Sequence, residues 1–263
     1  MTTRVKAPGE FCWINILTPQ PDAARAFFAD ILGWTYGEIP GMGHFIKVGD
    51  CDAGGIFPNV GRDGKSEMHP MIGVMVKVAS ADAAAAKFRE LGGAAEDPFD
   101  VGESGRMAVC HDPNGAQIDV WQPKRGGVTE VDSSLPGAPS WFETLTTDTD
   151  RAAKFYHGVF GWTAETSQMG DLRYTVFNLG STPMAGMCAL EPEKGAGTPR
   201  WDVYFTVTDP DATLTRAKEL GAKVDVPARD IPGVGRLAGL TSPQGVFFYV
   251  MRYEPRAMAV GAS

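Results

Sequence analysis

The chain has 263 residues, of which 43% are hydrophobic and 21% charged, with a formal net charge of −8 and a sequence pI near 5.0. That is a globular composition with room for two ordinary domains, and the acidic balance argues against a nucleic-acid partner, whose phosphates need clustered Lys and Arg. The sequence shows neither a run of about 18 apolar residues nor a signal-like apolar core over Met1–Glu10, so no membrane partner and a cytoplasmic setting are expected.

The first expected element is a strand over Trp13–Leu17, where side chains alternate. Asp22–Leu32 then has helical spacing, with Ala23, Ala26, Phe27 and Ile31 on one expected buried stripe, and Gly33 stands where a glycine ends a helix. Strands are expected around Gly43–Val48, Asp52–Phe57 and Gly73–Val78, followed by a second helix over Ala81–Leu91 that stops at Gly92-Gly93. A Pro-, Gly- and Ser-rich stretch without apolar periodicity comes next and has the character of a linker. Beyond it the pattern restarts. Trp13–Trp34 aligns without a gap on Trp141–Trp162. Val78–Asp82 answers Val207–Asp211, Glu90-Leu-Gly92 answers Glu219-Leu-Gly221, Gly105-Arg106 answers Gly235-Arg236, and Asp112-Pro-Asn-Gly115 answers Ser242-Pro-Gln-Gly245. Agreement across separated segments identifies a duplication. The expected organisation is an N-terminal segment 1–9, a first domain 10–122, a linker 123–137, a second domain 138–253 and a tail 254–263.

Within each copy the order strand, helix, several strands occurs twice. Phe27-Phe28 precedes Leu32-Gly33-Trp34, and Phe155-Tyr156 precedes Phe160-Gly161-Trp162; a Gly-Arg pair and a Pro-x-Gly turn precede each last strand. On these pieces, which cover nearly the whole chain, it resembles the vicinal oxygen chelate superfamily of glyoxalases, bleomycin-resistance proteins and dioxygenases. The resemblance implies an α+β fold: two tandem glyoxalase-like domains, each a pair of βαβββ modules forming a curved mixed sheet around an open cavity. It also implies where a metal would be held, by a His, Gln or Glu in the first strand, a His in the fifth and a Glu in the eighth. Those places fall on Trp13, Gly73 and Asp119 in the first copy and on Trp141, Asp202 and Tyr249 in the second. Indole and glycine are not ligands. His44, His69, His111 and His157 are scattered, and Cys12, Cys51, Cys110 and Cys188 lack metal-ligand spacing and are expected as buried small hydrophobes. No metal and no cofactor are expected.

Strand alternation assigns faces. In the first copy Trp13, Asn15 and Leu17 share a side, as do Gly73, Met75 and Lys77, and Gln117, Asp119 and Trp121. Ile14, Ile16, Val74, Val76, Ile118 and Val120 should pack under helices. In the second copy Trp141, Glu143 and Leu145 are expected with Asp202, Tyr204 and Thr206 and with Phe247, Tyr249 and Met251. The ligand-binding set is accordingly Trp13, Asn15, Met75, Lys77, Gln117, Asp119, Trp121, Trp141, Tyr204, Phe247, Tyr249 and Met251. Aromatic walls with a few polar groups suit a planar organic ligand. The expected function is capture of an aromatic or polycyclic small molecule without a catalytic metal. One alternative is a metal-independent acid/base enzyme, of isomerase or lyase type, using Glu143 and Asp202 as catalytic groups. Another is a metal-dependent glyoxalase-like lyase or dioxygenase, and a third is an inert scaffold with filled cavities. Ligand identity and oligomeric state stay open.

Overall fold

A computed structural model describes residues 6–61, 64–124, 128–169, 172–190 and 197–255. The first copy runs β1 (Phe11–Thr18), α1 (Pro21–Leu32), β2 (Thr35–Ile39), β3 (Gly43–Val48), β4 (Cys51–Pro58), β5 (Met71–Lys77) and α2 (Ala81–Glu90). It ends with the short strands β6 (Ala94–Ala95), β7 (Phe99–Val101), β8 (Gly105–Ala108) and β9 (Cys110–His111), then β10 (Asp119–Pro123). The second copy runs β11 (Pro139–Thr146), α3 (Thr149–Phe160), β12 (Thr163–Met169), β13 (Leu172–Leu179), β14 (Thr182–Ala189), β15 (Arg200–Thr206), α4 (Pro210–Glu219), β16 (Lys223–Ile231), β17 (Gly235–Thr241) and β18 (Phe247–Tyr253). Two eight-stranded mixed sheets result, ordered β2-β3-β4-β1-β5-β10-β8-β7 and β12-β13-β14-β11-β15-β18-β17-β16; β6 and β9 form a small separate pair. The two orders are identical under the duplication, as the repeat requires.

The helices start and stop where local chemistry dictates. Ser80, Asp148 and Asp209 cap α2, α3 and α4 by accepting backbone N–H bonds, while α1 has a proline in its first turn instead. Gly33 and Gly161 end α1 and α3 in the left-handed region, at φ 69° and 74°. The buried stripe of α1 is Ala24, Phe27, Phe28, Ile31 and Leu32. Ala23 and Ala26 are exposed. The expected stripe was rotated by one residue, because alanines on either side fit the apolar period equally and only the large side chains fix the phase.

The chain divides into two compact units that each mix the copies. One comprises Met1–Trp13, Gly73–Val128 and Trp141–Asp202; the other comprises Ile14–Ile72, Thr129–Ser140 and Val203–Ser263. The core of the first unit is a cluster of rings: Phe11 stacks on Phe142 with centroids 4.0 Å apart, and Tyr156 meets Trp162, Phe177 and Trp201 within 5.6 Å. The Tyr156 hydroxyl donates to Asp112 Oδ2 at 2.8 Å and accepts from the Trp201 indole at 3.1 Å, so this buried polar tip is satisfied. Asp112 Oδ1 meanwhile accepts the Asn114 and Ala116 amides and closes the Asp-Pro-Asn-Gly turn. The core of the second unit uses Phe27, Phe28, Trp34, Phe205 and Phe248 in edge and stacked contacts. There the turn is closed by Ser242, whose hydroxyl accepts the Gln244 and Val246 amides.

The segment between the copies is tied to the second unit at Ser133 and Gly137. The Gly137 carbonyl accepts the Trp34 indole at 2.8 Å, its amide donates to Thr206 O, and Ser133 O accepts the Thr206 hydroxyl. A compositional linker is thus a docked segment here. Among the described residues no helix is long and apolar enough to cross a membrane. Cys12, Cys110 and Cys188 are buried free cysteines, and Cys51 is half-buried rather than buried.

Candidate functional site

The faces expected from alternation are present on the strands. Ile14, Ile16, Val74, Val76, Ile118 and Val120 are all at most 1% exposed. On β15 the indole of Trp201 bonds Tyr156 of α3, so Asp202 projects from the face opposite the helix. On β18 Phe248 packs on Phe27 and Phe28 of α1, which sends Phe247 and Tyr249 to the opposite face.

In the first unit the second copy assembles a connected polar group. Glu143 of β11 is paired in register with Gly186 of β14, and Leu145 with Cys188. Tyr174 of β13 faces Cys188 in the antiparallel register and reaches across so that its hydroxyl lies over Gly186; a Cβ there would stand 1.9 Å from it. Only glycine leaves that space. The Trp141 indole N–H donates to the Tyr174 hydroxyl at 2.9 Å, and the hydroxyl in turn donates to the Glu143 carboxylate. Burial, then the Glu143 charge, push the Tyr174 phenol well above its ordinary value, so it stays protonated and a donor. Burial also raises the Cys188 thiol, with Glu143 and Asp202 adding to it, which keeps the thiol neutral and places both carboxylates in its neighbourhood.

Asp202 is 4% exposed. Its Oδ1 accepts Arg200 Nε at 2.9 Å, while Oδ2 is buried with no hydrogen-bond partner among the described residues. Burial raises the Asp202 carboxyl and the Arg200 guanidinium opposes that rise. Arg200 and Tyr174 did not figure in the sequence-derived set. Arg200 stands two residues before Asp202 on one strand, so the same-face period could have found it. Tyr174 lies on a strand outside the metal-position argument, and nothing in the sequence pairs it with Trp141.

The first copy's share of this unit is filled. Met75 and Trp121 pack with Cys12, and Trp13, Val101, Met107 and Val128 lie against them. The Trp121 indole N–H is buried without a partner among the described residues. Lys77 Nζ donates to Lys6 O at 2.6 Å. Asp119, 4% exposed, accepts the Cys110 amide at 3.3 Å and the Gln117 side-chain amide at 3.2 and 3.3 Å. Burial pushes its carboxyl up to about 7 despite those bonds.

The remaining expected residues belong to the second unit. Tyr204 and Tyr249 are register partners on β15 and β18 and stack at 4.3 Å with an interplanar angle of 8°; Phe247 meets Tyr249 edge-on. Met251 is 3% exposed, and Asn15 pairs with Gly55 on β1 and β4.

A metal at the family's strand positions has no donor set here. Trp13 and Gly73 offer none, and Asp119 already accepts the Cys110 and Gln117 amides. Trp141 spends its N–H on Tyr174, Asp202 is paired with a guanidinium, and Tyr249 is stacked on Tyr204. Among the described residues no three His, Cys, Asp or Glu side chains come together as a metal site.

Comparison with known proteins agrees with the fold. The family model described as a glyoxalase-like domain matches residues 13–121 and again 142–251. The chain is 32% identical over 254 residues to a Mycobacterium tuberculosis protein named "Putative glyoxylase CFP32", covering 93% of this chain and 95% of that protein. It is also 32% identical over 284 residues to the anthracycline biosynthesis protein DnrV of Streptomyces peucetius, with 98% of each chain covered. Among solved structures it is similar to the Mn(II)-bound glyoxalase of Novosphingobium aromaticivorans, at a TM-score of 0.67 and 15% identity over 94% of this chain and 83% of that one. The 2,2',3-trihydroxybiphenyl 1,2-dioxygenase of Sphingomonas wittichii matches at 0.64 and 11%, over 95% and 91%.

Proposed function

The chain belongs to the glyoxalase-like domain family, and on that premise we propose that it binds an aromatic or polycyclic small molecule on the second copy's face, without a catalytic metal. The observation that carries this reading is the buried, half-satisfied carboxylate of Asp202 beside the Trp141–Tyr174–Glu143 chain. A buried acceptor left unmade is costly unless something else completes it. The Trp141 ring supplies a stacking surface next to a polar handle, the combination that orients a planar ligand. Two further points support the reading. The family's metal positions hold two indoles, a glycine, a stacked tyrosine, an Arg-paired aspartate and an aspartate, Asp119, that accepts the Cys110 and Gln117 amides. A full-length relative is named for anthracycline biosynthesis, and anthracyclines are polycyclic aromatics.

The test is a titration of chelator-dialysed protein with 2-hydroxyanthraquinone, followed by quenching of tryptophan fluorescence. Saturable quenching is expected, weakened in Trp141→Ala by roughly 1 kcal/mol from lost stacking, with more from lost apolar burial. Binding that appears only when a transition metal is restored would sink the metal-free reading.

A second reading is favoured by the raised carboxyl of Asp202. In it the face performs acid/base chemistry, an isomerisation or elimination, through Asp202 and Glu143. Turnover of a found substrate should then fall by about 10²–10⁴ in Asp202→Asn or Glu143→Gln while binding holds. Loss of affinity with no turnover to lose decides for the binder.

A further inference from the structure

Two donors at Gly186 have settled roles, and one buried acceptor in the neighbourhood of Cys188 does not. The Trp141 N–H is committed to Tyr174, and the Tyr174 O–H to Glu143. Trp141 therefore presents ring surface, with its single donor already used. Asp202 Oδ1 is taken by Arg200 Nε. What is left is Asp202 Oδ2, an acceptor on a side chain 4% exposed with no partner among the described residues. Arg200 keeps Asp202 from being an isolated buried charge, since a guanidinium bonded to one oxygen favours the ionised form. The same guanidinium disfavours a divalent cation at that oxygen pair by charge repulsion. Burial raises this carboxyl and Arg200 opposes the rise; in the ionised form that the Arg200 pairing favours, the carboxylate is an acceptor only. The missing partner is a donor.

Resting on the reading that this face takes an aromatic ligand, we infer that the ligand carries a hydroxyl or N–H donor on its ring and that Asp202 Oδ2 accepts it. The ring lies against Trp141, and the donor, rather than ring area alone, selects the ligand. Asp202 is then a specificity-determining binding residue, and Arg200 a positioning residue that holds Oδ1 and leaves Oδ2 as the acceptor to be completed.

Two probes of nearly equal shape separate the possibilities: 2-naphthol, which has the donor, and 2-methoxynaphthalene, in which it is methylated. Titrated into the full chain, 2-naphthol should bind at least about tenfold tighter, the weak end of what a hydrogen bond to a charged group contributes. In Asp202→Asn the amide oxygen takes over the Arg200 bond and the NH₂ replaces Oδ2. Donor then meets donor, so the preference should vanish or reverse. Equal affinity of the two probes for the unaltered chain overturns the inference and leaves the aromatic-ligand reading standing, as does a preference that survives in Asp202→Asn. Binding of neither probe counts against both readings. The two-probe comparison needs only the unaltered chain, so it decides even if the variant fails to fold.

Discussion

The two copies put the same backbone to different uses at one place. In the first copy Asn15 pairs with Gly55, and Phe57 two residues on folds its ring over that glycine, where a Cβ would stand 2.3 Å from it. In the second copy the equivalent pair is Glu143 and Gly186, but Cys188 stands two residues on. A thiol is too small to cover the glycine, and the Tyr174 hydroxyl occupies the space instead. Two reciprocal exchanges, Phe57 for Cys188 and Gly43 for Tyr174 on the neighbouring strand, accompany the change from an apolar cover to a hydrogen-bonded chain of Trp141, Tyr174 and Glu143. The buried aspartates differ in the same direction. Asp119 has amide donors on both oxygens, whereas Asp202 has one oxygen unmade. Both copies keep buried polar atoms without a partner among the described residues, the Trp121 indole N–H in the first and Asp202 Oδ2 in the second, so the copies differ in the kind of group left over.

The largest expected effect tests the aspartates. Asp119 has a folded value of about 7 against an ordinary 3.8. Between those values the folded chain holds a proton that the unfolded chain releases, so stability falls as pH rises, by up to about 1.4 kcal/mol per pH unit. Asp202, also raised, acts in the same direction. His111, lowered by burial, acts in the opposite one near its ordinary value of 6.5. The carboxyls lowered by arginine forks, Asp30, Asp82 and Asp211, lose their contribution only below this window. Urea unfolding should show a loss on the order of 3 kcal/mol between pH 5 and pH 8, and Asp119→Asn should flatten that slope. A slope unchanged in the variant would break the argument that burial of Asp119 causes it.

Exchanging the covers comes next. Phe57→Cys removes a ring from the first copy and should cost about 2 kcal/mol or more, as large-to-small changes do. Cys188→Phe brings the first copy's cover into the second. It should cost about 1–3 kcal/mol from overpacking, expel the Tyr174 hydroxyl and abolish 2-hydroxyanthraquinone binding, whereas Phe57→Cys should leave that binding intact. If Cys188→Phe folds and still binds, the Gly186 neighbourhood is not the site.

How much of this was readable beforehand follows from the range of the signals. The duplication, the helix end at Gly33 and the alternating burial of β1 are local patterns, and each stands in the structure. The Tyr156–Asp112 bond joins residues from different copies, and the Trp141–Tyr174 bond spans 33 positions. No spacing rule reaches that far. The stretch after Gln122 reads as a linker by composition because Pro, Gly and Ser also make docked turns, and the distant partners Trp34 and Thr206, which bond Gly137 and Ser133, are not signalled by that composition.

The smallest effect is expected at the Gly-Arg pairs, which the sequence offered as family marks in both copies. Their roles here are mechanical. Gly105 and Gly235 each let a neighbouring strand carbonyl approach, since a Cβ would stand 2.6 Å from Gln122 O and 2.1 Å from Arg252 O. The arginine that follows forks an aspartate in the first turn of the next-door helix: Arg106 to Asp82 of α2 at 2.8 and 2.9 Å, and Arg236 to Asp211 of α4 at 2.6 and 2.8 Å. Both forks are bidentate, which lysine cannot reproduce, yet both aspartates are solvent-exposed, and exposed ion pairs contribute little. Arg106→Lys and Arg236→Lys should each shift the urea midpoint less than any change above, by similar amounts in the two copies. The shift should shrink further in about 1 M salt, where screening over a few ångströms weakens the pair. Because the copies agree here, ligand affinity should stay put in both variants. A loss of affinity in Arg236→Lys alone would mean that the strand-to-helix tie of the second copy positions the binding face, and would move the difference between the copies from side-chain volume to backbone placement.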